Sequence, residues 1–367
     1  MEPILYVTIT QFLFAALLVL TKRARQQADM VLGSWLVVMA IFLCLTLLKE
    51  HFPGEFWGHV QVYPMGALIG PFLFLYSRSL TSTYPQLNWK SSLHLIPFGI
   101  IVLIELFFPQ EVDAYFINGN FLDRGRWTYT ILFILHNLTY FGLTLKILSQ
   151  HRIHVKDIFS FSSLEITLQW LWVVAGIFGL SFLITLIILI AVLIWGPFIN
   201  PAVPLFMGFG IFAFAISYYG VRQGVIYQPE NDAVPSQPEE SESRYATSSL
   251  SEAEAQKHII RLKYYMETER PYQNRELTVQ SVAEQLDIPT HHLTETLNEY
   301  MGKNFYTFVN EYRIEDVKRL LLDPKYQNYT LLAIAYEAGF NSKSAFNHTF
   351  KKLCGQTPSE YRRENLE

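Results

Sequence analysis

The hydrophobic pattern changes character twice along the chain. From residue 4 to about residue 221, apolar residues run in long stretches. A polar segment without apolar periodicity follows, and from residue 251 apolar positions recur at helical spacing. Seven of the early stretches are long enough to cross a bilayer, which needs about 20 residues of helix. They run Ile4–Leu20, Val31–Leu48, Val60–Tyr76, Leu93–Phe108, Trp127–Leu148, Leu168–Ile194 and Ala202–Val221. The first is expected to be a retained anchor and not a secretory leader. No basic segment precedes it, and Lys22, Arg23 and Arg25 follow it.

The last third predicts short helices joined by tight turns. Ser251, with Glu254 three positions on, forms a capping-box pattern that opens a helix through about Glu269, with Ile259, Leu262 and Met266 on one face. A unit then occurs twice. In the first copy Val279–Leu286 forms a short helix, Asp287-Ile288-Pro289 the turn, and Thr290 caps a second helix through about Met301. In the second copy these roles fall to Leu331–Ala338, Gly339-Phe340-Asn341 and Ser342, with a helix to about Leu353. Between them Phe305–Leu322 reads as a long helix stopped by Asp323-Pro324, with Phe305, Phe308, Val309, Tyr312 and Leu320 apolar. A short helix, a tight turn and a capped second helix describe a helix-turn-helix, whose second helix presents polar residues to a major groove.

Composition sharpens this division. The chain has 367 residues, 51% of them hydrophobic and 16% charged, against about 25% charged in an ordinary soluble domain. Residues 1–228 hold 12 Lys/Arg and 10 Asp/Glu, whereas residues 251–367, half as many, hold 15 and 17. A single soluble globule is excluded for the first part and full membrane burial for the second. Cys44 and Cys354 lie in different parts, which excludes a disulfide framework. Nine Lys/Arg fall in the loops on one side of the spans and three (Lys49, Arg124, Arg126) on the other, so the N-terminus is expected outside and the C-terminus inside. Residues 229–250, with five acids and Arg244, read as a flexible acidic tether.

Within the spans, His136 and Asn137 in the fifth and Glu105 in the fourth are candidates for a sensor site. The alternative is that they are hydrogen-bond partners inside a helix bundle. Gly66 and Gly70 form a Gly-x-x-x-Gly suited to close helix packing. The loop 109–126 either caps a ligand pocket or is plain solvated chain. No metal-binding His-Glu-x-x-His, nucleophile elbow or phosphate-cradling glycine loop occurs, and no cofactor is expected.

The run from Glu337 to Lys352, continued by Leu353-Cys354-Gly355-Gln356-Thr357-Pro358-Ser359-Glu360-Tyr361-Arg362, resembles the second helix-turn-helix of AraC/XylS-type transcription regulators. Gly302–Phe305 and Asn310–Ile314 are similar to that family's connecting helix, and the resemblance covers 277–363. More loosely, Gly70–Tyr76 and His94–Phe98 resemble the membrane portion of its multi-pass bacterial members. The resemblance implies that Lys343, Ser344, Asn347 and His348 face base edges and that Lys351 and Lys352 lie near phosphates. Asn can bond adenine bidentately and Lys can reach guanine acceptors. The first recognition helix offers His291, His292, Thr294 and Asn298, beside Glu295 where the family usually carries a base.

The expected architecture is therefore all-α. It comprises a seven-transmembrane-helix sensor domain (1–228), an acidic linker (229–250) and a cytoplasmic double helix-turn-helix domain (251–367). The expected function is transcription regulation from the bacterial inner membrane, without enzymatic activity. Expected partners are double-stranded DNA, RNA polymerase, the lipid bilayer and a signal ligand, with homodimer pairing open. The alternative is a membrane transporter or enzyme carrying a DNA-binding regulatory tail.

Overall fold

The computed structural model describes residues 2–23, 25–52, 63–82, 89–107, 124–195, 203–224, 226 and 250–366. Among these the chain is all-helical, with one isolated bridge between Phe159 and Thr278 and no strand. The predicted tether 229–250 lies outside the described residues apart from Leu250, as does the predicted outer loop up to residue 123. Two compact units form. One comprises Met1–Ser149 with Leu168–Ile226, the other Gln150–Thr167 with Tyr227–Glu367.

The first unit is built on helices Glu2–Leu20, Gln27–His51, Ile69–Thr81, Ile96–Phe107, Gln169–Trp195 and Val203–Arg222, with most of the long helix Arg124–Ile158. Its centre is aromatic. Phe212 lies 4.7 Å, ring to ring, from both Trp35 and Phe178, and Phe12 and Phe72 extend the cluster. One end is fastened by charge: Lys22 pairs with Asp29 at 2.7 Å and also donates to the carbonyls of Gly220 and Gln223. The Gln223 side chain in turn accepts from the Trp170 indole. Gly66 and Gly70 pack inside the bundle. Their faces meet Phe133 and Tyr140, so closely that a Cβ at Gly70 would lie 2.8 Å from the Tyr140 Cβ.

Three described helical stretches, and not the seven expected, are long and apolar enough to cross a membrane: Gln27–Leu48, Leu132–Ile158 and Gln169–Ile188. Leu5–Leu20 and Lys90–Leu103 are apolar but shorter. The third expected span fails because its described part starts as a 3-10 turn, Tyr63–Leu68, before a 13-residue α-helix. In the fourth, a 3-10 turn at Leu93–Leu95 precedes a helix described over Ile96–Phe107. Unbroken hydrophobicity in sequence does not guarantee an unbroken helix, since Pro71 and Pro97 each lack the donor that would bond one turn back.

The second unit has short capped helices around a long one. Ser251, Thr278, Asn304, Thr330 and Ser342 each accept a backbone N–H three residues on, opening helices Glu252–Thr268, Val279–Gln285, Phe305–Leu322, Leu331–Glu337 and Lys343–Cys354. The helix Phe305–Leu322 serves two cores. Its first half places Phe305, Phe308 and Val309 among Val282, Leu293 and Leu297. Its second half places Ile314, Val317, Leu320 and Leu321 among Ile334, Phe346 and Phe350.

Phe350 is fully buried against Phe346 and Tyr361. Phe350→Ala should destabilise the second core by about 3–5 kcal/mol. In a Cys44→Ser chain held in detergent, thiol labelling of the adjacent Cys354 should then begin at a lower urea concentration. An unchanged labelling midpoint would contradict the assigned core.

Candidate nucleic-acid interface

The second helix-turn-helix is assembled by local chemistry. Thr330 starts its first helix, and Gly339, at φ +96°, makes the left-handed turn. A Cβ there would stand 2.2 Å from the Tyr272 carbonyl oxygen, so the turn needs glycine on steric grounds as well. Ser342 caps the helix Lys343–Cys354, and Gly355, at φ +76°, ends it. Phe346, Thr349 and Phe350 form the buried side of that helix. Lys343, Ser344, Asn347, His348, Lys351 and Lys352 are all exposed, at spacings of three to five residues that keep them on the opposite side. Six predicted contact residues thus share one surface. Arg362, by contrast, is tied to the carbonyls of Tyr326, Gln327 and Tyr329 and anchors the last helix, Pro358–Leu366.

The first helix-turn-helix departs from its expected form. Thr290 is the first helical residue and not the cap. Pro289 holds the cap position without a side-chain bond, and Asp287 makes the turn at φ +51°. The recognition helix Thr290–Glu295 widens into a π turn, Thr296–Tyr300, before the expected end at Met301. There the Met301 N–H reaches the carbonyl of Thr296, and the Thr296 hydroxyl donates back to His292. The predicted residues are dispersed accordingly. His291 is exposed, the Thr294 hydroxyl donates to the Thr290 carbonyl, and Asn298 lies in the π turn with its amide 3.5 Å from Asp157 Oδ1.

His291 and His292 meet edge to face with rings 4.3 Å apart, and His258 of the preceding helix stacks 6.3 Å from His292. Burial holds His258 and His291 below the usual imidazole range, and the charge of His292 adds to it. Arg261 pushes His258 the same way, while Glu254 and Glu295 oppose the shift at His258 and His291 respectively.

The residues singled out within the spans have structural partners. Pro71 has no N–H for the carbonyl of Ala67, and His136 Nε2 lies 3.0 Å from that oxygen. Asn137, almost fully buried, accepts from the Gly70 N–H at 3.2 Å and donates to the Phe133 carbonyl. Both side chains thus serve the first turn of helix Ile69–Thr81. The cavity beside them, lined by Gly70, Leu73, Asn137 and Phe178, has about 10 Å3, the room of a single water. The Glu105 side chain lies outside the described residues. Sequence reasoning passed over Arg313, which is 1% exposed at the middle of helix Phe305–Leu322. A charged residue on a helix gives no periodic signal of burial, so only its neighbours reveal it.

Comparison with known proteins bears directly on this surface. Residues 282–364 match the family model for a helix-turn-helix domain. The C-terminal end of the chain is an AraC-type helix-turn-helix domain. An HTH-type transcriptional regulator of Staphylococcus aureus strain COL is 35% identical over 89 residues, which is 24% of this chain and 12% of that protein. Its counterpart in strain MRSA252 matches to the same extent. A response regulatory protein of Staphylococcus epidermidis is 29% identical over 97 residues, 26% of this chain and 37% of its own length. The chain thus spans only about an eighth of the Staphylococcus aureus regulators it matches. No solved structure matches. The likeness supports DNA-binding transcription regulation by the helix-turn-helix domain.

The imidazole cluster makes packing in this domain pH-dependent. The folded-state affinities of His258 and His291 are depressed, so the stability these two contribute is complete above about pH 6.5 and is lost as pH falls through the lowered folded values. Hydrogen exchange in helix Glu252–Thr268, corrected for intrinsic rates, should accelerate between pH 7.5 and 5.5, and His258→Phe should flatten that dependence. Equal protection at both pH values would refute it.

Proposed function

We propose that the protein is a membrane-anchored, sequence-specific transcription regulator that reads DNA chiefly through helix Lys343–Cys354. The carrying observation is the exposed array of Lys343, Ser344, Asn347, His348, Lys351 and Lys352 on a helix-turn-helix domain. Leu277–Gly302 contains no Lys or Arg and four acids, whereas Asn341–Arg363 contains five bases and one acid. Phosphate neutralisation supplies much of protein–DNA affinity, so the second helix-turn-helix provides most of the binding and the first refines the choice of site.

Membrane anchoring is supported by the three long apolar helices and by the apolar side chains they leave uncovered. Along Gln169–Trp195, Val173, Leu180, Leu183, Ile187, Ile190 and Ile194 are exposed while Leu171, Val174 and Phe178 are buried, so the helix is apolar on both sides. The loop charges favour an outside N-terminus and a DNA-binding domain in the cytoplasm at the bacterial inner membrane. In this reading the apolar unit conveys a signal from the membrane or the exterior to the DNA-binding domain. RNA polymerase, a signal ligand and a second copy of the chain are its further partners.

The test is salt-dependent DNA binding by the full chain in detergent. Replacing Lys351 and Lys352 with Ala should weaken binding to all sequences and flatten the log–log salt slope by about two. Asn347→Ala should cost about 1–3 kcal/mol and relax preference at one base pair. A His291→Ala/Asn298→Ala double change should cost less than the lysine pair, and the opposite order would refute the dominance of the second helix-turn-helix. Exchanging the apolar unit for an inert multi-pass anchor should abolish the response of target transcription to inducing conditions; a preserved response would remove the signalling role.

A further inference from the structure

The segment Gln150–Thr167, which in sequence separates the stretches Trp127–Leu148 and Leu168–Ile194, belongs to the compact unit of the DNA-binding domain. Helix Arg124–Ile158 has 35 residues, so it runs about 52 Å, well beyond the roughly 30 Å of a hydrocarbon core. Its last turns carry His151, Arg152, His154, Lys156 and Asp157. The chain then passes through Ile158-Phe159-Ser160.

Those three residues occupy a built seat. Ile158 packs against the first helix-turn-helix core. Phe159 forms an antiparallel bridge with Thr278, the residue that caps the first helix of that motif. The Ser160 N–H donates to the Leu277 carbonyl at 3.1 Å. The Ser160 carbonyl accepts from Arg313 Nη1 at 2.7 Å and Asn310 Nδ2 at 3.2 Å, and its hydroxyl accepts from Arg313 Nη2 at 3.0 Å. Ser160, Asn310 and Arg313 are each at most 1% exposed. Without Ser160 the buried guanidinium would lose two of its acceptors, a costly state for a charged group. The seat therefore requires an occupant with an apolar residue followed by a small hydroxyl residue in extended form.

We propose that this surface is a docking site for the chain's own segment Gln150–Thr167, and that docking restrains DNA reading by the first helix-turn-helix. The second half rests on the DNA-binding role given above to Asn298. In the docked arrangement Asp157 Oδ1 stands 3.5 Å from the Asn298 amide, placing a carboxylate where base or phosphate contacts would form. Lys156, its neighbour in sequence, is exposed. Movement of the stretches flanking the segment then has a direct route to the recognition helix.

The test uses the full chain in native membranes with Cys44 and Cys354 replaced by Ser. Bridge partners in antiparallel pairs lie about 4.5–5.5 Å apart between Cα atoms, within disulfide reach. Phe159→Cys with Thr278→Cys should form an intramolecular disulfide on mild oxidation. Phe159→Cys with Thr330→Cys, the equivalent cap of the second motif, should not. Equal yields from the two pairs would overturn docking. Because crosslinking is read without DNA, docking stands or falls independently of the DNA-binding reading. Binding is then measured in detergent to a duplex selected from a random pool by the reduced protein. The locked form should bind at least about fivefold more weakly, the scale of one lost base contact, with recovery on reduction. Equal or tighter binding by the locked form would overturn the restraint. Asp157→Asn alone, which leaves the seat intact, should tighten binding about threefold, the scale of one charge contact near the surface; no change would count against the restraint as well.

Discussion

A single guanidinium holds the C-terminal unit together. Arg313 donates at 2.7–3.4 Å to oxygens of Tyr272, Asn274, Ser160 and Asn310, and all of them are neutral. Burial lowers its proton affinity to about 10, so it is still charged at neutral pH, stabilised by converging dipoles with no carboxylate among its partners. It lies between the two cores that share helix Phe305–Leu322. Its guanidinium carbon stands 5.9 Å from the Phe340 ring, and its Nε would be 3.0 Å from any Cβ at Gly339. One side chain therefore ties the turn at 272–274, the seat of Ser160 and the turn of the second helix-turn-helix to a common point.

Polar residues in the apolar unit follow the same rule on a smaller scale. His136 and Asn137 serve backbone groups at the start of helix Ile69–Thr81, one of them a carbonyl that Pro71 cannot bond. Lys22 divides its donors between Asp29 and two carbonyls at the end of helix Val203–Arg222. An unmatched polar group in such surroundings costs several times what a matched one contributes, so these side chains sit where the backbone has an open valence.

Much of the C-terminal unit was legible residue by residue. The bounds of Phe305–Leu322 coincide with expectation, because Asn304 and Asp323-Pro324 act within one turn of the chain. The capping box at Ser251 and Glu254 and the caps at Thr278, Thr330 and Ser342 are equally local. The exposed face of Lys343–Lys352 emerges from helical spacing once Phe346 and Phe350 are taken as its buried side. The π turn at Thr296–Tyr300 was not legible. It depends on how Leu297 is drawn into a core that Phe305 and Phe308 complete from further along the chain. Among the described residues only three of the seven expected spans are long and apolar enough to cross a membrane, for a related reason. Hydropathy counts side chains, whereas helix continuity depends on backbone donors and on the neighbours that replace missing ones.

The amino-acid sequence alone therefore determined that the chain is helical, where most helices of the C-terminal unit begin and stop, and which face of the helix Lys343–Cys354 meets solvent. Those properties rest on interactions within four or five residues of each other. Tertiary structure alone decided that Arg313 is buried, that His136 and Asn137 mend a helix start, and that Ser160 closes against residues more than a hundred positions away. Each of these joins a donor to an acceptor supplied by a distant segment, and no local pattern records which distant carbonyl will be left open.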